Sequence, residues 1–595
     1  MQYATTPPGD KRIHCSRFSG LIIVLLSQIL QQILIECDHR LRLRLLRTIC
    51  RSLDCFLGQG CMEATIPNVT RDAEDVSISG SRTLEPDSLK DLRSRKLVTP
   101  GHRVGEILLA DIPDDLPKTD NVQGDIYILF PKMAENFIFF VIKDVTDFKS
   151  KLKNYTPTNT TTVLQNLKEI SKKKGTEDDP HVDLQQSQIA FTQSGLITLG
   201  VIKSSDKLGD SIFDDGPLWK QVPKLGDSQR DQYSPAFKYG KKHGVFMVAA
   251  SDPDLCKKES DRIKALFGFS IGDVDEEAGF VRPGKKNRGH EHFGYKDGVS
   301  QPALRGLVKP HKGQLQADPG VVVMGYKGDP LLKTRPAWMK DGTYMVIRKL
   351  EQDVPYFNKY LQFYSPNWRD YVPKDHDSNK DPLSTKEAEE LVGARLVGRW
   401  KSGAPLALAP VRDNPTMAAD KEQVNNFDYT VQGQLNPSDY YCPFTAHARK
   451  TAPRNLDPGI PYGLEIGDPN ATTRGLLFVC YQSSIDNGFY RQTAGFAGND
   501  FFPHTDLIPK YQGQDPIIGG PPKIYTATPD QGGDVAESGK VTVQVTNGDG
   551  TLVEVTGFSS VVQKSVTSMD PYPVTSRGGE FFFVPSLSTL ASWAS

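Results

Sequence analysis

No pair of cysteines in this 595-residue chain has the Cys-x-x-Cys spacing of a zinc site or of thiol redox chemistry. Only Cys256, Cys442 and Cys480 follow the five cysteines of the first 61 residues, too few and too scattered for a disulfide framework in a body of this size. A surplus of charge is missing too. Lys and Arg number 71 against 72 Asp and Glu, so no global field points to nucleic acid. Long apolar runs are absent as well: a membrane-crossing helix needs about 20 predominantly apolar residues, and Gly20 to Leu26 falls short, with Gln28, Gln31 and Gln32 breaking its continuation. What remains is the composition of an ordinary globular protein, 38% hydrophobic and 9% aromatic. The length is about twice that at which a single core stops growing, which calls for several domains or one large two-lobed unit.

Residues 1–71 read as an atypical leader. Lys11, Arg12 and Arg17 precede the apolar run as in a signal peptide, but no clean small-residue cleavage site follows. Arg40, Arg42, Arg44, Arg47 and Arg51 alternate with leucines, a pattern suited to a membrane surface or to organelle targeting; a leader that folds into nothing is the alternative. Asn68, Asn154, Asn159 and Asn470 open glycosylation sequons that matter only if the chain is secreted, so localisation stays open. Residues 72–120 are polar and broken by prolines, as in a linker or extended arm.

The globular body begins near Asn121. Apolar runs at Ile126 to Phe130 and Phe137 to Val145 have strand character, Thr161 to Lys173 reads as a helix, and Gln186 to Leu199 as mixed strand and turn. His243 to Ser251 is a strand that leads into a helix at Leu255 to Phe267, with Asp254 as its N-cap. A second round follows, with strands at Thr343 to Leu350 and Gly475 to Ser483 and helices at Glu351 to Leu361 and Ser384 to Val397. The last helix starts at a capping box, Ser384 with Glu387. Lys540 to Thr556 reads as a hairpin turning at Asn547-Gly548-Asp549-Gly550. This alternation indicates an α+β or α/β body, and an antiparallel sheet covered by helices is a natural solution. Two similar rounds also suggest duplication, although no repeat is visible residue by residue.

The most informative stretch runs from Gly289 to Pro302. Its centre, Gly294-Tyr295-Lys296-Asp297-Gly298, sets one carboxylate between two glycines, where the backbone can turn sharply and approach a ligand. On local chemistry this is first of all a turn. The stretch nevertheless resembles the Gly-x-x-Asp-Gly signature of the dye-decolorising peroxidases, haem enzymes in which that Asp is the distal acid. Further blocks resemble fungal members of the family: Asn121 to Asp125, Arg335 to Trp338, Gly342 to Leu350, Gly398 to Pro405, Cys442 to Lys450 and Gly579 to Pro585. Together they extend the likeness over residues 120–595, and it is specific because separated blocks agree in order.

The resemblance implies two ferredoxin-like lobes with antiparallel sheets and peripheral helices, of the dimeric α+β barrel type. Residues 121–310 would form the first lobe, ending in the acid loop, and residues 311–595 the second, holding haem. It implies a peroxidase that reduces hydrogen peroxide and oxidises dyes or other aromatic donors. Haem b, one per chain, would be held noncovalently, because Cys-x-x-Cys-His is absent.

Site residues follow from the same blocks. His447, in Cys-Pro-Phe-x-x-His-x-Arg-Lys, matches the family's iron ligand; on local chemistry alone it is an ordinary core or surface histidine. Asp297 would be the acid–base group, taking a proton from one peroxide oxygen and returning it to the other. Arg399 would pair with a haem propionate, a carboxylate that an arginine fork suits, or make a structural salt bridge. The family match does little for His290 or His292, but their place just before Asp297 would allow a contact to a haem propionate; Leu476 and Phe478 would be apolar residues over the haem, although core packing alone explains both. The family carries a distal Arg just before Gly-Ile-Pro-Tyr-Gly. Here Asp457-Pro458 precedes Gly459 to Gly463, and Arg454 is the nearest cation. A haem-binding protein with impaired peroxidase activity is therefore the alternative expectation.

Overall fold

The computed structural model describes residues 115–174, 182–221, 225, 227, 230–238, 242–373, 375–429, 440–451, 459–465, 473–498, 515–519, 540–546, 552–558 and 573–594. The leader, most of the arm and Arg454 lie outside the described residues.

Eight strands form one sheet. The first four are β1 (Ala134–Ile142), β2 (Gln185–Phe191), β3 (Gly244–Ala250) and β4 (Ile271–Phe280). The other four are β5 (Thr343–Gln352), β6 (Ile460–Tyr462), β7 (Gly475–Gln482) and β8 (Val574–Val584). Their order across the sheet is β4-β1-β3-β2-β8-β5-β7-β6, with antiparallel ladders throughout. Within each half, the strands lie fourth, first, third, second. The duplication suggested by the two rounds of elements is therefore present in topology, although no repeat is visible in the sequence. The two halves share one continuous sheet, joined where β2 meets β8 at Phe191 and Phe583. Edge strands β4 and β6 lie in contact, but no ladder between them closes a barrel among the described residues.

Period-two burial sorts the side chains of the sheet into two cores. On β5 and β7, Met345, Ile347, Leu477 and Val479 enter one core, while Val346 and Cys480 enter the other. Helix α2 (Thr160–Lys174) packs into the first core through Val163 and Leu164, while α1 (Val145–Leu152) and α3 (Pro253–Phe267) cover the second face of the first half. Asp252, two residues before the expected Asp254, caps α3 through Leu255 N–H at 2.9 Å, because Pro253 occupies the first helical position. A separate layer holds α4 (Val354–Tyr364) and α5 (Thr385–Val397). The capping box forms as read, with Ser384 and Glu387 bonded reciprocally, a feature that stabilises a helix start by about 1 kcal/mol.

Elsewhere the structure departs from the sequence reading at two elements. Ile126 to Phe130 is buried but not a strand: Asp125, at a φ of 72°, turns the chain, and its carboxylate accepts from Phe130 N–H. Strand β4 has no counterpart in the sequence reading, because Asp273, Asp275, Glu276 and Glu277 make it look like a loop. The paired strands Lys540–Thr546 and Leu552–Phe558 form the expected hairpin arms; its turn residues lie outside the described set.

Candidate active site

The acid loop is fastened at both ends. Gly294 and Gly298 adopt φ values of 95° and 70°, accessible to glycine at little cost, and between them Asp297 N–H donates to Gly289 O at 3.0 Å. Phe293 and Tyr295 are buried against α4 and α5, with Phe293 stacked on Phe357 at 4.3 Å between ring centroids. Glu291 braces the loop from inside: its carboxylate accepts from Phe293 N–H and Tyr295 N–H, both at 2.8 Å, and from Gln352 Nε2. Burial raises the Glu291 carboxyl above its ordinary range, and the charge of Asp297 adds to the rise. The Asp297 side chain takes Gly298 N–H on Oδ1 at 2.7 Å. Asp297 thus stands on a preformed turn, with Oδ2 available to a ligand.

That loop borders a cavity of about 440 Å³, within the size range of small-molecule and cofactor sites. Strands β5 and β7 supply its apolar wall. Leu350 pairs with Leu476 and Arg348 with Phe478, so all four side chains stand on one face. Leu476 and Phe478 are only half-buried, whereas their neighbours Leu477 and Val479 are fully buried in the opposite core, because the first pair faces the cavity.

His447 also lines the cavity, at the start of the short helix α6 (His447–Lys450). Its Nδ1 lies 2.7 Å from Asp515 Oδ2, and Asp515 is completely buried. The other Asp515 oxygen accepts from Ile517 N–H at 2.7 Å and Ile518 N–H at 3.3 Å, which fixes the carboxylate in place. A proton on Nδ1, held by Asp515, leaves the lone pair on Nε2, the tautomer required of a metal ligand. Asp515 escaped the sequence reading because it lies 68 residues from its partner, in a segment with no recognisable spacing.

Arg399 follows the end of α5 and lines the same cavity, but its guanidinium is engaged by protein. Nη1 donates to Gly403 O and Val424 O, both at 2.9 Å, and Nη2 to Ser300 Oγ at 2.6 Å and Asn425 Oδ1 at 2.7 Å. His292 departs from expectation. It is not among the residues that line the cavity. Its Nε2 lies 2.8 Å from Tyr462 O, and burial, aided by Arg282, lowers the imidazole pKa to about 4. The fold therefore favours its neutral form. On the order of 3 kcal/mol of stability, complete above the unfolded-state value near 6.5, should be lost as pH falls from there through 4. Denaturant titrations of wild type and His292→Gln across that range test this: the variant should show a flatter decline.

An apolar cavity in the second half of a duplicated α+β sheet, with a carboxylate-backed imidazole and a loop-mounted acid on its wall, suits the class of haem peroxidase scaffolds. The residues fit such a group: the His447 imidazole lines the cavity with its Nδ1 on Asp515, and the surrounding wall suits a porphyrin face. Comparisons with known proteins agree. Residues 121–283 match the family model of the DyP dimeric alpha+beta barrel domain. A dye-decolorizing peroxidase of Exidia glandulosa is 34% identical over 88% of this chain and 94% of its own. Dye-decolorizing peroxidase AauDyP1 of Auricularia auricula-judae is 35% identical over 79% and 86%, respectively. Among solved structures, a dye-decolorizing peroxidase in complex with 2,6-dimethoxyphenol superposes with a TM-score of 0.61 at 33% identity, covering 80% of this chain and 99% of that one. The chain belongs to the dye-decolorising peroxidases. It is an oxidoreductase of a haem-enzyme family, reducing hydrogen peroxide and oxidising dyes or other aromatic donors, and the relatives lend no support to the alternative of an impaired haem binder.

Proposed function

We propose that this chain holds one noncovalent haem b in the cavity between the acid loop and α6. His447 Nε2 ligates the iron, with Asp515 keeping the proton on Nδ1; the haem, when bound, supplies the redox centre. Asp297 works on the peroxide. Its carboxylate takes the proton from one oxygen and delivers it to the other, which departs as water, so one positioned group serves both transfers. Leu476 and Phe478 keep bulk water from the reacting oxygens. Arg399 serves the haem edge indirectly, by bracing Ser300 beside the acid loop and Asn425 opposite it, instead of through the propionate fork read from the sequence. Residues 121–310 and 311–595 are the two lobes of this arrangement.

The observation that carries the reading is the His447–Asp515 pair on the same cavity as Asp297. The phenol-class donor 2,6-dimethoxyphenol, found with a solved relative, is the natural probe. The full chain reconstituted with haem should show a Soret band and oxidise this phenol only when hydrogen peroxide is present. A reconstituted protein that consumes no peroxide would refute the assignment.

A further inference from the structure

The cavity has a cation that no spacing in the sequence marks as functional. Arg348 stands on β5 opposite Phe478, on the strand face that forms the apolar wall, and it lines the cavity. Its side chain is 5% exposed, and its Nη2 meets Asp227, itself 3% exposed. Ser576 Oγ donates to the second Asp227 oxygen at 3.1 Å. The guanidinium lies over the Phe489 ring at 5.6 Å. On the far side, β8 bulges between Ser576 and Gly579, and a Cβ at Gly579 would come within 2.9 Å of Arg348 Cγ. The fold thus makes room for this one arginine and fixes it from three sides. Yet Arg348 Nε is buried without a hydrogen-bond partner. Because that atom is closed off, an anion in the cavity would have to meet another edge of the guanidinium, which lines it.

We propose that Arg348 is the cation of the peroxide site, doing from the strand wall what the family's arginine before Gly-Ile-Pro-Tyr-Gly does from its own position, where this chain has Asp457-Pro458. The proposal rests on the peroxidase reading above. In the overall reaction hydrogen peroxide gains two electrons and two protons and leaves as two waters, while two phenol-class donors each lose one electron and one proton. Cleavage of the O–O bond concentrates negative charge on the departing oxygen before its proton arrives, and a fixed guanidinium beside an apolar wall stabilises that charge without having to reorganise. The other cations on the cavity are less suited. Arg399 is engaged by four protein acceptors, and Lys296 extends from the acid loop instead of the wall.

Removing Arg348 alone would strand Asp227 in the interior. The test therefore uses the double variant Arg348→Leu/Asp227→Asn alongside Arg348→Lys, each as the full chain reconstituted with haem. Haem uptake is followed by Soret titration, fluoride affinity by the visible spectrum, and peroxide reaction by stopped flow. Fluoride reports the cation without turnover, since a bound anion calls on the same donor. The double variant should take up haem like wild type, bind fluoride at least about tenfold more weakly, and react with peroxide roughly 10²–10³-fold more slowly. Arg348→Lys, which keeps the charge but loses the fork, should fall between and carries the test if the double variant does not fold. Unchanged fluoride affinity in a haem-loaded variant overturns the proposal. So does a defect confined to haem uptake, which would make Arg348 a propionate anchor. Wild-type protein that takes up haem but consumes no peroxide refutes the peroxidase reading itself, a result separable from either.

Discussion

His447→Ala is expected to lower haem affinity by more than about a hundredfold, with the folded protein otherwise retained. Loss of a residue that only orients a metal ligand typically costs roughly 10–100-fold in affinity or activity, and loss of the ligand itself should exceed that. Asp515→Asn supplies the scale: it leaves the imidazole in place but weakens its hold on the Nδ1 proton, so a deficit of roughly tenfold is expected. Soret titration of the three apo-proteins measures both values, and circular dichroism separates them from unfolding. The side-chain environment favours survival of the fold, because the His447 ring is 20% exposed to the cavity and makes no part of the main cores. Equal haem uptake by wild type and His447→Ala would remove His447 from the iron and leave the Asp515 pair as a structural bridge.

Family resemblance, and not local chemistry, singled out Asp297, Leu476 and Phe478. On their own residues, the first was a glycine-framed turn and the other two one face of an alternating strand; the fold sets all three on one cavity. What escaped depends on contacts between distant segments. Asp515 reaches His447 only after the chain has folded. Glu291 sits between two histidines that draw attention to themselves, yet it, and not His292, braces the loop, while His292 turns away to Tyr462 O. Arg348 reads as an ordinary strand residue until Asp227 and the bulge in β8 are seen around it. The elements behaved similarly. Strands with aliphatic runs, such as β3 and β7, announced themselves, whereas β4 was hidden: an edge strand with only one ladder in the sheet exposes acidic side chains that blur its pattern. Ile126 to Phe130 shows the converse error, in which burial without ladder bonds imitates a strand.

Asp297→Asn should slow the reaction with peroxide by roughly 10²–10⁴-fold, the usual contribution of a positioned acid–base group, while haem uptake stays within about twofold of wild type. The substitution is close to isosteric: an asparagine Oδ1 still accepts Gly298 N–H, and the glycine-framed turn and the Glu291 brace do not involve the second oxygen. What is lost is the oxygen that carries the proton between the two peroxide oxygens. The amide can donate a hydrogen bond but cannot take up a proton and give it back, so the defect should lie in reaction with peroxide and not in oxidation of the phenolic donor. Stopped-flow traces at varied peroxide, compared with traces at varied 2,6-dimethoxyphenol, locate the step. A variant that reacts with peroxide as fast as wild type would show that the proton travels by another path, for which Glu291, partly buried beside Asp297 and holding its carboxyl above the ordinary range, is the first residue to replace.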